Sequence, residues 1–259
     1  MSETKRYSVA AEAIEQHREQ LLAFVNVDVL NLRRAINALV ARLRVKGLDD
    51  DDWPPDWRKE LEWATEHGER RVCEHMTISL CAGLEVFMED VFVSTCLAVP
   101  PTNEKFRSVK VAITDFMSLS DAERYRALWN DFHLKQPPVD RCDSIFGLLG
   151  IKVDIPPLDE ALKAVYPNRL DNATTRAFLR EMQAVRNALL HRRKADTRLA
   201  EVAPARYPLG ESITVTDEAI TDYGIAVHTY AGALGFAALE FLAAHEPPRD
   251  NAARPPDAD

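Results

Sequence analysis

Apolar side chains recur at helical intervals over residues 8 to 46 (Ile14, Leu21, Leu22, Val25, Val29, Leu32, Ile36, Leu39, Val40, Leu43), with Gly47 placed to cap a helix C-terminus. This spacing predicts a long first helix. The acidic run Asp49 to Asp52, followed by Trp53-Pro54-Pro55, cannot continue it, because consecutive prolines lack N–H donors and clash with a preceding helical turn. A second long helix is predicted from Asp56 to Ala98. It is polar in its first half, then strongly apolar through Leu80, Leu84, Phe87, Met88, Val91 and Phe92, and Pro100-Pro101 ends it.

Residues 102 to 170 are less regular. Short apolar clusters at Val109 to Phe116, Ala122 to Phe132 and Ile145 to Leu149 are broken by Pro137-Pro138, Gly150 and Pro156-Pro157, which predicts an insert of short helices and loops. Asp171 or Asn172 then caps a helix whose apolar positions Phe178, Met182, Val185 and Leu189 are spaced by four, three and four residues. After Lys194, a connection with Pro204, Pro208 and Gly210 offers Ser212 to Val215 as a short strand. Thr216-Asp217-Glu218 opens a last helix running to about His245, with a hydroxyl cap and two acids at its positive end. The predicted fold is all-α: one helical domain over residues 1–245 with the insert at 102–170. A proline-rich polar tail at 246–259, with nothing to bury, is expected to be disordered.

Composition narrows the function classes. The start, Met1 to Arg6, is polar, and the near-apolar stretch Ala231 to Ala244 falls short of the roughly 20 residues a bilayer requires. Neither a signal peptide nor a membrane span is expected. Cys73, Cys81, Cys96 and Cys142 sit in apolar or helical stretches, so a reduced, cytoplasmic protein is expected. Cys73, His75 and Cys81 lack a second ligand pair, so no metal site is expected. No cofactor motif or glycine-rich phosphate loop is present. A formal charge of −9 argues against a general nucleic-acid coat. Between Lys163 and Arg198, however, nine basic residues face three acids, a local charge of +6.

Inside that basic stretch lies Arg186-Asn187-Ala188-Leu189-Leu190-His191, followed by Arg192, Arg193 and Lys194. RNA can be cleaved without a metal when a base deprotonates the 2′-hydroxyl, which then attacks its own phosphate. Histidine, with an ordinary pKa near 6.5, suits that task. A guanidinium stays charged, and its planar fork can hold phosphorane oxygens as negative charge builds. Asn187 lies one turn before His191, placed to orient either the imidazole or the phosphate. Arg186 and His191, five residues apart, are separated by about 140° around the axis. A two-fold axis would bring two such helices around one cleft, so a homodimer is expected.

This Arg-Asn-x-x-x-His pattern on a late helix resembles the catalytic motif of HEPN-superfamily ribonucleases. The stretch Ile78 to Phe92 is similar to the second core helix of the RiboL-PSP and MAE groups, where an acid stands within an apolar face. Glu85 fits that place, with Cys81, Met88 and Phe92 as helical neighbours, and it needs a partner such as Arg186. The resemblance implies an up-and-down four-helix bundle and catalysis by Arg186, Asn187 and His191 at a dimer interface, with Glu85 supporting. It further implies RNA products ending in a 2′,3′-cyclic phosphate and a 5′-hydroxyl, and a role as a toxin or antiphage effector controlled by an antitoxin or other regulatory protein. Arg192, Arg193 and Lys194 are the candidate RNA contacts.

Two other readings stand beside this one. In the first, the same helices form a non-catalytic interaction module in a larger complex, with Arg186 pairing Glu85 and His191 serving as a helix C-terminal cation. In the second, the basic helix binds a nucleotide phosphate. The tryptophans Trp53, Trp57, Trp63 and Trp129 are expected to pack rather than to stack on bases, since three of them stand beside acids.

Overall fold

A computed structural model describes residues 3–26, 34–35, 38, 41, 55–102, 119–131, 138–156, 170–191 and 193–247. The chain is all-α, and no strand occurs among the described residues. Seven helices are described: α1 (Glu3–Ala23), α2 (Pro55–Ala98), α3 (Asp121–Asp131), α4 (Pro138–Leu149), α5 (Asn172–His191), α6 (Thr197–Val202) and α7 (Asp217–His245). Gly47, the Asp49 to Asp52 run, Val109 to Phe116, Arg192, most of the first helix beyond residue 26 and the tail from 248 lie outside the described residues.

Local sequence accounts for the helix ends. Pro55 is the first residue of α2, a position where a missing N–H costs nothing and the fixed φ already suits a helix. Asp171 accepts the Thr174 N–H at 2.8 Å ahead of α5, and Thr216 accepts the Ala219 N–H at 3.2 Å ahead of α7. The expected strand at Ser212 to Val215 reduces to an isolated bridge between Lys194 and Ser212. Its partner limb has no length to pair, because Asp196 already caps α6 by accepting the Leu199 N–H.

Among the four long helices, α1 and α5 each pack on both α2 and α7, and α2 packs on α7. Their core joins Ile14, Leu80, Met88 and Val91 to Leu179, Met182 and Val185, with Tyr223, Val227 and Leu234 from α7, all fully buried. At Gly83 a Cβ would stand 3.0 Å from the Phe24 ring, so this glycine sets how closely the end of α1 approaches α2. By length and composition only, α7 is long enough and apolar enough to cross a membrane, a length its near-apolar core alone did not suggest. Its contacts with α1, α2 and α5 make it the central core helix, which explains the same composition.

The described parts of the insert belong to this core. Trp129 of α3 is 1% exposed, with Phe92 5.6 Å from its ring centre and the Arg141 guanidinium over its face at 5.2 Å. Ile145 and Phe146 of α4 are fully buried. The Asp143 carboxylate accepts from Arg176 of α5 and, at 3.1 Å, from the Tyr230 hydroxyl of α7, tying three helices together. Burial pushes that carboxyl above its ordinary range, and the two donors oppose the shift.

Truncating Leu80 to alanine is expected to cost about 2–5 kcal/mol in urea unfolding, by lost transfer energy and a residual cavity. Leu97→Ala, at a 40% exposed position, should stay within about 0.5 kcal/mol. Equal costs at both sites would contradict the assigned core.

Candidate functional site

α5 turns Leu179, Met182, Val185, Ala188 and Leu189 inward, which leaves Arg186, Asn187, Leu190 and His191 along its outer edge. Phe178, the first residue of the expected stripe, is only half-buried and carries the Arg206 guanidinium 5.5 Å above its ring.

Arg186 is held from two directions. Its Nη1 donates to Asn187 Oδ1 at 3.2 Å, and Gln183 Nε2 donates to the same oxygen at 3.5 Å. From α2, Glu85 Oε2 lies 4.0 Å from Arg186 Nη2, a contact at the outer limit of an ion pair. Both side chains are a little over a quarter exposed, so water screens the pair and its net contribution is at most about 1 kcal/mol. Arg186 Nε is enclosed and has no hydrogen-bond acceptor. The guanidinium is therefore oriented, while its Nη2, 4.0 Å from Glu85, makes no hydrogen bond among the described residues. Just inside lies the Cys81 thiol, donating to the Met182 carbonyl at 3.6 Å. Burial pushes this thiol far up, the Glu85 charge adds to the shift, and Arg186 opposes it.

His191 is the last residue of α5 and is exposed. Among the described residues no hydrogen bond or ion pair joins it to Arg186. The two stand on different sides of the helix, about 7.5 Å apart along the axis. One chain thus brings Arg186, Asn187 and Glu85 together and leaves His191 apart.

The basic residues after the motif divide. Arg193 adopts φ 54°, and its N–H closes the end of α5 on the Ala188 carbonyl at 2.8 Å. Its guanidinium reaches back to α2, where Nη1 meets Glu74 Oε2 at 2.9 Å. Lys194 is exposed beside its bridge to Ser212, and Arg192 lies outside the described residues.

Two buried carboxylates were not identified from the sequence. Glu74, 3% exposed, receives Arg70 Nε at 3.0 Å, Arg71 Nη1 at 3.1 Å and Arg193. The Arg70 and Arg71 spacings are visible in the sequence as helix pairs, but the third partner, 119 residues away, is not. Glu181, 6% exposed, receives Arg206 Nη1 at 3.1 Å and the Tyr223 hydroxyl at 2.8 Å. Arg206 also donates to Asp222 at 2.7 Å, so the connection between α6 and α7 is fastened to both α5 and α7.

Comparison with protein-family models, with curated proteins and with solved structures finds no match to this chain.

All four cysteines are buried, and burial pushes the thiols of Cys81, Cys96 and Cys142 far above the ordinary thiol range. A thiol-reactive dye should therefore label none of the four at neutral pH in the folded protein and all four in urea. Rapid labelling of any one before unfolding would contradict their placement.

Proposed function

We propose that the chain is an endoribonuclease of the HEPN type that cleaves RNA by internal transfer, using Arg186 and His191. The observation that carries this reading is the oriented, partly uncommitted Arg186 guanidinium on the same helix as an exposed histidine. His191 takes the proton from a ribose 2′-hydroxyl. The resulting alkoxide attacks the adjacent phosphorus, the P–O5′ bond breaks, and the leaving oxygen takes a proton from solvent water while His191 returns its proton to solvent. The products are a 2′,3′-cyclic phosphate and a 5′-hydroxyl. Arg186 holds the non-bridging oxygens as charge accumulates. Asn187 and Glu85 are positioning residues, since each touches the guanidinium.

The reading requires two chains. Arg186 and His191 point to different sides of one helix, whereas a two-fold axis places the arginine of one protomer opposite the histidine of its partner. Leu190 and Val86, 53% and 59% exposed, stand beside His191 and Glu85 and supply apolar surface for such a contact. The HEPN resemblance adds an up-and-down arrangement of the four long helices and a role as a toxin or defence effector with a controlling partner protein.

With RNA and EDTA present, His191→Ala should lower cleavage about 10²–10⁴-fold and Arg186→Ala about 10²–10³-fold, without altered thermal unfolding. The ends left by the wild type should be 2′,3′-cyclic phosphates. Cleavage persisting in both variants, or abolished in the wild type by EDTA, would contradict the mechanism. No cleavage by the wild type would favour the interaction-module reading, in which Arg186 serves to pair Glu85.

Leu190→Asp is expected to halve the mass measured by light scattering and to abolish cleavage together. An active monomer would rule out the shared site.

A further inference from the structure

Glu74 and its arginines form a charged cluster of unusual balance. The carboxylate is nearly sealed from water, its side chain 4% exposed, while Arg70, Arg71 and Arg193 keep 40%, 42% and 54% of their side-chain surface. Both carboxylate oxygens are used: Oε1 accepts from Arg70, and Oε2 accepts from Arg71 and Arg193. One negative charge thus holds three positive ones, leaving a surplus of two in a chain whose total is −9. Neutralising a buried carboxylate needs one cation, and one or two guanidiniums suffice to occupy both its oxygens. The third guanidinium is unnecessary for that purpose.

The committed nitrogens differ in a way that matters. Arg70 uses Nε on Glu74 and Nη2 on the Ile213 carbonyl at 2.8 Å, so it also anchors the segment before α7. Arg71 and Arg193 each commit a single Nη1 to the carboxylate. Their remaining N–H groups lie on half-exposed guanidiniums whose position Glu74 has fixed. Such pre-oriented forks match the paired oxygens of a phosphodiester, and little rotamer freedom is lost when one docks. Arg193 follows His191 by two residues, so their Cα atoms are at most about 8 Å apart. A strand whose reacting phosphate sits at His191 passes this cluster with a neighbouring phosphate.

We propose that Arg71 and Arg193, pinned by Glu74 together with Arg70, bind a backbone phosphate of single-stranded RNA flanking the cleaved bond. Glu74 is the positioning residue and makes no contact with the strand. This inference rests on the ribonuclease reading for its ligand, but its test does not require turnover.

The test measures binding of a fluorescent 2′-O-methyl RNA oligonucleotide, which has no 2′-hydroxyl to attack, by the full-length protein at several salt concentrations. Arg71→Gln and, separately, Arg193→Gln should each weaken binding about tenfold. Each should also reduce the slope of log affinity against log salt by part of the roughly 0.7 that one phosphate on a single strand contributes, and the double variant by about 0.7. Lys152→Gln, which removes an 86% exposed cation on the limb after α4, should change neither quantity. Thermal unfolding verifies that each variant folds, and Glu74 retains two arginines in either one. Unchanged affinity and slope in both arginine variants would overturn the proposal, as would an equal loss in Lys152→Gln or no binding by the wild type. Failure here with Arg186-dependent and His191-dependent cleavage intact would remove the phosphate site and leave the ribonuclease reading. Arg71-dependent binding without cleavage would do the reverse.

Discussion

The seam between α2 and α5 is the constraint on which the rest depends. α2 must bury one side along its apolar half, and Leu80, Cys81, Leu84, Met88 and Phe92 do so almost completely. Glu74 and Glu85 are eleven residues apart, about three helical turns, so both carboxylates fall on one line of α2 with Cys81 between them. Each meets a basic residue from α5 or from the segment just after it: Glu85 meets Arg186, and Glu74 meets Arg193. Packing that seam therefore fixes both the Arg186 guanidinium and the end of the helix that carries His191. α7 packs against α1 and against both α2 and α5, and its Tyr223 and Tyr230 reach carboxylates on α5 and α4.

Much of this was legible in the sequence because the deciding signals were local. The spacing of Met182, Val185 and Leu189 fixed which side of α5 turns inward, and hence that Arg186 and His191 stay near its edge. Asp171 and Thr216 marked two helix starts, and the proline pair read as a break stands one residue ahead of the expected start at Asp56, with Pro55 itself opening the helix. Glu85, an acid among the apolar neighbours Cys81, Met88 and Phe92, implied a basic partner, and Arg186 stands 4.0 Å away. Signals that depend on distant chain segments were not legible. Glu181 reads as one more acid on a basic helix until Arg206 and Tyr223 fold over it. Broken periodicity read the insert only as short helices and loops, and Trp129, Ile145 and Phe146 of its described parts complete the core around Phe92. Short helices give few periods to read, so their buried faces emerge only in three dimensions.

Charge follows the same division. A chain of net −9 repels a polyanion over most of its surface. Among the described residues, the outer edge of α5, the segment after it and the arginines of α2 form a basic strip. Within that strip the buried Glu74 orders three guanidiniums rather than cancelling them. Arg186 is likewise restrained by Asn187 and by a carboxylate too distant to satisfy it. Orientation without full neutralisation suits groups that must receive phosphate oxygens, because little reorganisation remains when the ligand arrives.

The central claim is that Arg186 of one protomer works with His191 of its partner. Mixing Arg186→Ala chains with His191→Ala chains, under conditions where subunits exchange, tests this most directly. Each variant alone should be nearly inactive on RNA, and the mixture should recover a substantial part of wild-type cleavage as mixed dimers form. A mixture that contains mixed dimers by mass yet remains as inactive as its components would contradict the shared site.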